Sequence, residues 1–181
     1  MVLPAGVATR EVLTPLHVIE KRLAPTVTWT GTTAGRVPGH DPPMIFYADL
    51  AIADLKQPPD LLLVPGGFGS LEMALDGAVQ RAIVGLRGPS TVCLAVSTGA
   101  LVLAAAGLLS GRRVSGHWLS RGYLEQFGAT PVQDHFVAAD RIITASGSIS
   151  SEFAAAFAAD LVAFGPQTTS RPASLHFGQS S

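Results

Sequence analysis

The chain has 181 residues, 48% of them hydrophobic and 14% charged, with a formal net charge of −1. Such a length and apolar content suit one domain with a sizeable core, and so little charge leaves no electrostatic footprint for nucleic acid. A single cysteine excludes a disulfide framework, no run approaches the ~20 apolar residues of a membrane span, and the first residues lack a secretory signal pattern, so a soluble cytoplasmic protein is expected.

Taken in order, residues 1–3 read as the stub of a first strand ended by Pro4-Ala5-Gly6. A central strand typically has ~5–6 residues, so either this strand is clipped or its start lies upstream. Residues 10–23 predict a helix, with Val12, Leu16, Ile19 and Leu23 on one face. Thr9 is its expected cap, and Glu11 falls in the first turn, where a carboxylate is favoured. Residues 26–30 alternate as a second strand, residues 32–43 are a Gly/Pro-rich loop, and residues 44–49 predict a short strand or edge.

Leu61-Leu62-Leu63-Val64 reads as a strand buried on both faces, which is the signature of a parallel sheet. It runs into Pro65-Gly66-Gly67-Phe68-Gly69, a loop suited to close approach of backbone and ligand. A helix over residues 70–86 and a strand over residues 91–96 follow. That strand breaks at Ser97-Thr98-Gly99 and continues as an Ala/Leu-rich helix, a turn similar to a nucleophile elbow without the G-x-S-x-G sequence. Such a turn lifts one side chain into the open and leaves the first helical amides free beside it.

Beyond the elbow helix, short strands are predicted at residues 112–115, 131–132, 136–137 and 142–144, with helices over residues 119–127 and 150–164. Ser150 or Ser151 is the expected cap of the last helix. Strands alternating with helices along the whole chain give an α/β sandwich with a mostly parallel central sheet. In such sheets the site lies beyond the carboxyl ends of the strands, where Gly67 and Ser97 would both sit. One domain over residues 1–165 and a flexible tail over residues 166–181 are expected.

The segment Leu61-Leu62-Leu63-Val64-Pro65-Gly66-Gly67 is followed by Val96-Ser97-Thr98-Gly99-Ala100, Ala106-Gly107-Leu108-Leu109, Gly111-Arg112-Arg113 and Gly116-His117-Trp118. Together these resemble the ThiJ/PfpI superfamily of the class I glutamine-amidotransferase-like fold. Within it the likeness is nearest to the isonitrile hydratase branch and the sensory domains of AraC-type regulators, and it covers about residues 1–165. The resemblance implies a flavodoxin-like three-layer sandwich, a small-molecule substrate and a homodimer. It also puts Ser97 at the position of the nucleophilic cysteine, and Glu11 at the acidic position that hydrogen-bonds that cysteine, where isonitrile hydratases have Asp.

The resemblance further places an oxyanion site at the backbone amides of Gly67 and Thr98, next to Gly66, and matches His117 to a Thr-His-Trp position with Gly116 in place of the threonine. On this view Thr98 and Gly67 act through their amides, and their side chains tolerate change. The loop over residues 145–152 is about one residue shorter than the family pattern. No helix-turn-helix segment follows Phe164, which leaves the regulator reading poorly supported.

Cys93 lies inside an apolar strand and is expected to be an inert core thiol, since reactive thiols need an exposed, electropositive setting. Ser97 has three readings: a nucleophile, a binding hydroxyl, or an engineered replacement of a cysteine. As a nucleophile it would need a general base, and a carboxylate with an unperturbed pKa of ~4.3 is a weak base for an alcohol. Glu11 is therefore the expected acid/base group, its pKa raised by partial burial. His117 is either a second proton-transfer group or a structural donor, whereas His17 and His135 are expected at the surface. Trp118 is expected to pack against the core or a subunit partner. Neither metal-ligand spacing nor a phosphate-loop lysine is present, so no metal and no cofactor are expected.

With the resemblance, these residues imply a small-molecule enzyme of the ThiJ/PfpI superfamily that lacks its usual cysteine nucleophile and runs hydration, elimination, isomerisation or cyclisation in an apolar pocket. The alternatives are a serine hydrolase using Ser97 and a non-catalytic ligand-binding or regulatory protein.

Overall fold

In a computed structural model, residues 1–41 and 44–165 are described, and the tail expected over residues 166–181 lies outside them. The fold is mixed α/β. Its central sheet joins β5 (Leu61–Val64), β6 (Val92–Val96), β10 (Ile142–Ala145) and β9 (Phe136–Ala139) in that order, parallel except for the β10–β9 pair. On the other side of β5, Val2 N–H donates to the Leu63 carbonyl at 2.9 Å, and Val2 bridges in parallel to Thr30 of β1 (Thr30–Gly31). β1 pairs in parallel with β4 (Leu50–Ala51).

The all-apolar strands are covered on both faces, and the residues divide between them with a period of two. Val92, Leu94 and Val96 join Leu63 and Ile143 in the cluster under α1 (Thr9–Leu23) and α6 (Ser148–Phe164). Cys93 and Ala95 face the opposite cluster with Leu62 and Val64, under α2 (Ser70–Leu75), α3 (Gly77–Leu86) and α4 (Ala100–Ala105). Each fully buried Leu or Val contributes roughly 1.5–3 kcal/mol relative to exposure. In α6 the small side chains Ala154, Ala155, Ala158 and Ala159 are all buried, which lets this helix lie close to the sheet and α1.

Several elements differ from the sequence reading, each for a local reason. Residues 70–86 are two helices, because Asp76 caps α3 with its carboxylate, accepting from Ala78 N–H at 2.7 Å. The supposed loop over residues 32–43 contains β2 (Gly35–Pro38), an edge strand that tolerates Gly and Pro and pairs antiparallel with β3 (Ile45–Ala48). Of the second strand expected over residues 26–30 only Thr30 is in strand geometry, paired into β1 with Gly31. α1 starts at Thr9 itself, and the Thr9 hydroxyl is buried without a partner, so it is not the cap. α6 starts at Ser148, with Ser150 accepting from Gly147 N–H at 3.1 Å. Two short strands, β7 (Arg113–Val114) and β8 (Thr130–Pro131), pair in parallel, and α5 (Arg121–Gln126) follows a 3-10 turn at Trp118–Ser120. Among the described residues no helix is long and apolar enough to cross a membrane.

Candidate active site

Two turns at the carboxyl end of the sheet are stitched together and carry Glu11 into place. Ala8 N–H donates to the Gly66 carbonyl at 2.9 Å, Phe68 N–H to Gly6 O at 3.2 Å, and Gly69 N–H to Ala5 O at 2.7 Å. The chain following the Val2 bridge thus lies against the loop following β5, and α1 begins there. Pro15 lies inside α1 and lacks an N–H, so the carbonyl four residues earlier, that of Glu11, receives no helical bond from it. The Glu11 side chain turns toward the glycine loop, where Oε2 accepts the Gly66 N–H at 2.9 Å.

The elbow forms as expected in its backbone. Ser97 has φ of 58°, a left-handed conformation that a non-glycine residue adopts only where the surroundings enforce it. Gly99 permits this, since a Cβ there would collide with the carbonyls of Val64 and Pro65 at the end of β5. The side chain is not lifted into the open, however. Ser97 is only 4% exposed, and its hydroxyl donates to the Glu11 carboxylate. Burial raises the Glu11 pKa above the ordinary carboxylate value, and the Ser97 hydroxyl and the Gly66 amide pull it partly back.

Glu11, Gly66, Ser97 and Thr98 converge on one point. A Cβ added to Gly66 would meet Glu11 Oε2, stand 2.8 Å from Thr98 Oγ1 and 3.1 Å from Ser97 Cβ. The Gly67 amide, expected to face a substrate, donates instead to Thr98 Oγ1 at 3.0 Å. The Thr98 hydroxyl also lies 3.2 Å from the Gly67 carbonyl and 3.1 Å from Ser70 Oγ, so its side chain is a working part of this junction, contrary to the expectation that it tolerates change. Neither Thr98 Oγ1 nor Ser70 stands out in sequence, because a hydroxyl in a first helical turn is commonplace and their partner Gly67 is 31 positions from Thr98.

His117 is not joined to this group by any described contact. Its Nδ1 accepts the Leu119 N–H at 3.2 Å as the cap of the Trp118–Ser120 turn, and its ring lies against Trp118 at 5.7 Å. It serves there as an acceptor, where the expected alternatives were a second proton-transfer group and a structural donor. Gly116 does approach the elbow, since a Cβ on it would stand 3.5 Å from the Ser97 carbonyl. Trp118 is 71% exposed and so does not pack into the core. His17 and His135 are exposed, as expected. Cys93 is fully buried, which pushes its thiol pKa up to about 11 against a small opposing pull from Arg87.

The expected apolar pocket is not where a described cavity lies. A cavity of about 540 Å³ opens at the other end of β5, lined by Leu16, Ile19, Leu61, Leu62 and Val162 among others, and by none of the expected site residues. Among the described residues, no group of three or more His, Cys, Asp or Glu side chains is placed to share a metal ion.

Comparison with known proteins agrees with this architecture. The chain is 30% identical over 148 residues to the isonitrile hydratase of Pseudomonas putida, covering 81% of this chain and 59% of that protein, so it spans less than two thirds of that relative's length. Among solved structures, a ThiJ/PfpI domain protein from Brachyspira murdochii superposes with a TM-score of 0.79 at 17% identity, covering 90% of this chain and 93% of the other. A cysteine-to-alanine mutant of a DJ-1 superfamily protein from Salmonella typhimurium gives 0.73 at 26% identity, covering 91% and 89%. The family model described as DJ-1/PfpI matches residues 1–161, and the chain belongs to that family.

Proposed function

We propose that the chain is a small-molecule enzyme of this family in which Glu11 is the general acid/base and no cysteine nucleophile takes part. The observation that carries this reading is the Glu11 carboxyl itself. It is mostly buried, bonded by the Gly66 amide and the Ser97 hydroxyl, and shifted toward the protonated form. A carboxyl tuned upward can give a proton to a substrate and take one back from an attacking water or an adjacent carbon, which is the need of hydration, elimination, isomerisation or cyclisation. Ser97 acts on the reaction through Glu11, whose carboxyl its hydroxyl bonds, and the elbow amide of Thr98 is assigned to developing negative charge. The relative's printed activity suggests an isonitrile or a similarly small neutral molecule, and a tailoring role in secondary metabolism follows by analogy.

A serine hydrolase is less well supported. Ser97 has a carboxylate beside it, and the nearby histidine in sequence, His117, is engaged as a turn cap. The single domain over residues 1–165, the cytoplasmic location and the homodimer belong to the same proposal. Exposed Phe68, Trp118 and Ile149, at 80%, 71% and 82%, are apolar surface that self-association would cover.

The test is turnover on isonitriles and a panel of small neutral substrates. Glu11→Gln is expected to lose about 10²–10⁴-fold in kcat with the fold intact, and Ser97→Ala much less. Ser97→Cys gaining an isonitrile hydration that the wild type lacks would show that the cysteine chemistry had merely been switched off. Full turnover by Glu11→Gln would refute the acid/base assignment. Loss in Ser97→Ala together with fluorophosphonate labelling of the wild type would establish the hydrolase, and tight ligand binding without turnover a binding protein. A sedimentation mass near 18.7 kDa would exclude the dimer.

A further inference from the structure

Thr98 holds Gly67 from two sides. Its Oγ1 accepts the Gly67 N–H at 3.0 Å, and its own proton has two acceptors in reach, the Gly67 carbonyl at 3.2 Å and Ser70 Oγ at 3.1 Å. Ser70 is 1% exposed, and its N–H donates to the same Gly67 carbonyl at 3.2 Å. One residue earlier, the Gly66 N–H donates to Glu11 Oε2 at 2.9 Å. The two grips therefore act on consecutive residues of one turn, and that turn consists of two glycines, the residue type with the greatest backbone freedom.

We infer that Thr98 is a positioning residue whose hydroxyl, backed by Ser70, locks the Gly66–Gly67 turn and so keeps the Gly66 amide on Glu11. The inference rests on the reading of Glu11 as the acid/base group and says how its proton affinity is set. A carboxylate is favoured by each N–H aimed at it, so the donor matters only while the turn is held. Without the hydroxyl, the Gly67 N–H loses its acceptor, the turn relaxes, and Glu11 shifts further toward its protonated form.

The same contact bears on the reaction class. Acyl transfer through a tetrahedral intermediate relies on donors preset for an oxyanion. With Gly66 committed to Glu11 and Gly67 to Thr98, neither glycine amide is offered to substrate. The site favours proton transfer to and from a neutral substrate over acyl transfer.

A test that needs no substrate is titration of the Glu11 carboxyl by carbon NMR, with hydrogen exchange of the Gly67 amide, in the wild type, Thr98→Val, Thr98→Ser and Ser70→Ala. In Thr98→Val the Glu11 midpoint should move up by about a tenfold gain in proton affinity, the scale of one hydrogen bond to a charged group. Gly67 exchange should quicken at least as much. Thr98→Ser, which keeps the hydroxyl, should restore both. Ser70→Ala should change them less than Thr98→Val, since the Gly67 carbonyl can still take the Thr98 proton. An unmoved Glu11 midpoint in Thr98→Val would overturn the inference. If that variant does not fold, the wild type decides: a Gly67 amide exchanging as fast as an exposed loop amide overturns it, and a protected amide with wild-type behaviour in Thr98→Ser supports it. Full turnover by Glu11→Gln would instead remove the acid/base role and leave the titration result standing.

Discussion

The two ends of the central sheet are built on opposite plans. At the carboxyl end, the segment over residues 5–8 and the turns after β5 and β6 fold over one another, and Glu11, Gly66, Ser97 and Thr98 meet with their polar groups paired. At the amino end of β5 there is room, about 540 Å³ of it, lined by leucines, Ile19 and Val162 between the sheet, α1 and α6. A cavity that size would hold a small ligand. Its lining includes Met1, whose amino-group pKa burial lowers to about 6, but that group is held on the Thr28 carbonyl at 2.7 Å, and among the described residues no carboxyl with a raised pKa lines the space. Space alone does not make a reaction site. Among the described residues Glu11, at the tight end, is the one carboxyl whose pKa is raised, and that is the physical reason for proposing the chemistry there.

The comparison breaks most sharply with one added carbon at each end. Gly66→Ala puts a Cβ against Glu11 Oε2, Thr98 Oγ1 and Ser97 Cβ at once, so one of the three has to move. Displacements of this size cost about 10²-fold in rate, and that is the expected fall in kcat, checked by steady-state assay. Leu23→Phe adds volume to the amino-end cavity, which Leu23 lines. Filling it is expected to stabilise by about 1 kcal/mol and to raise Tm by ~2–4 °C with turnover unchanged. The reverse pattern, in which Leu23→Phe abolishes activity and Gly66→Ala keeps it, would move the site to the other end of the sheet.

How far the sequence revealed this arrangement depended on whether a signal was local. The apolar runs of β5 and β6 show themselves in consecutive residues, and so does the elbow at Ser97-Thr98-Gly99. The break at Asp76-Gly77 was also written in the chain, as an N-cap residue, but the apolar spacing on either side masked it. The β2–β3 hairpin was hidden because Gly35 and Pro38 look like loop residues wherever an edge strand is not already known. In the site, Glu11 was accessible through the resemblance to a family. The Thr98–Gly67–Ser70 junction was not, because each member is ordinary in its own neighbourhood and only the closure of two distant turns gives the hydroxyl its partners.

The smallest expected effect concerns pH and stability, and it separates a tuned carboxyl from a merely structural one. Burial raises the Glu11 pKa in the folded protein above the ordinary glutamate value of 4.5. Between that value and the raised one, the folded chain holds a proton that the unfolded chain has released. Stability therefore falls as pH climbs through this window, and at higher pH the buried charge keeps its full cost. Glu11→Gln keeps an oxygen for the Gly66 N–H but never ionises, so it lacks this loss. Thermal melts of the two proteins should run closest below pH 4.5, with the variant gaining on the wild type as pH rises and the gap then constant. A gap that stays flat through the whole range would show that the carboxyl titrates alike in folded and unfolded chains. A gap that closes with rising pH would mean that the Ser97 and Gly66 donors outweigh burial, which would make Glu11 a stabilised anion and a poor proton donor.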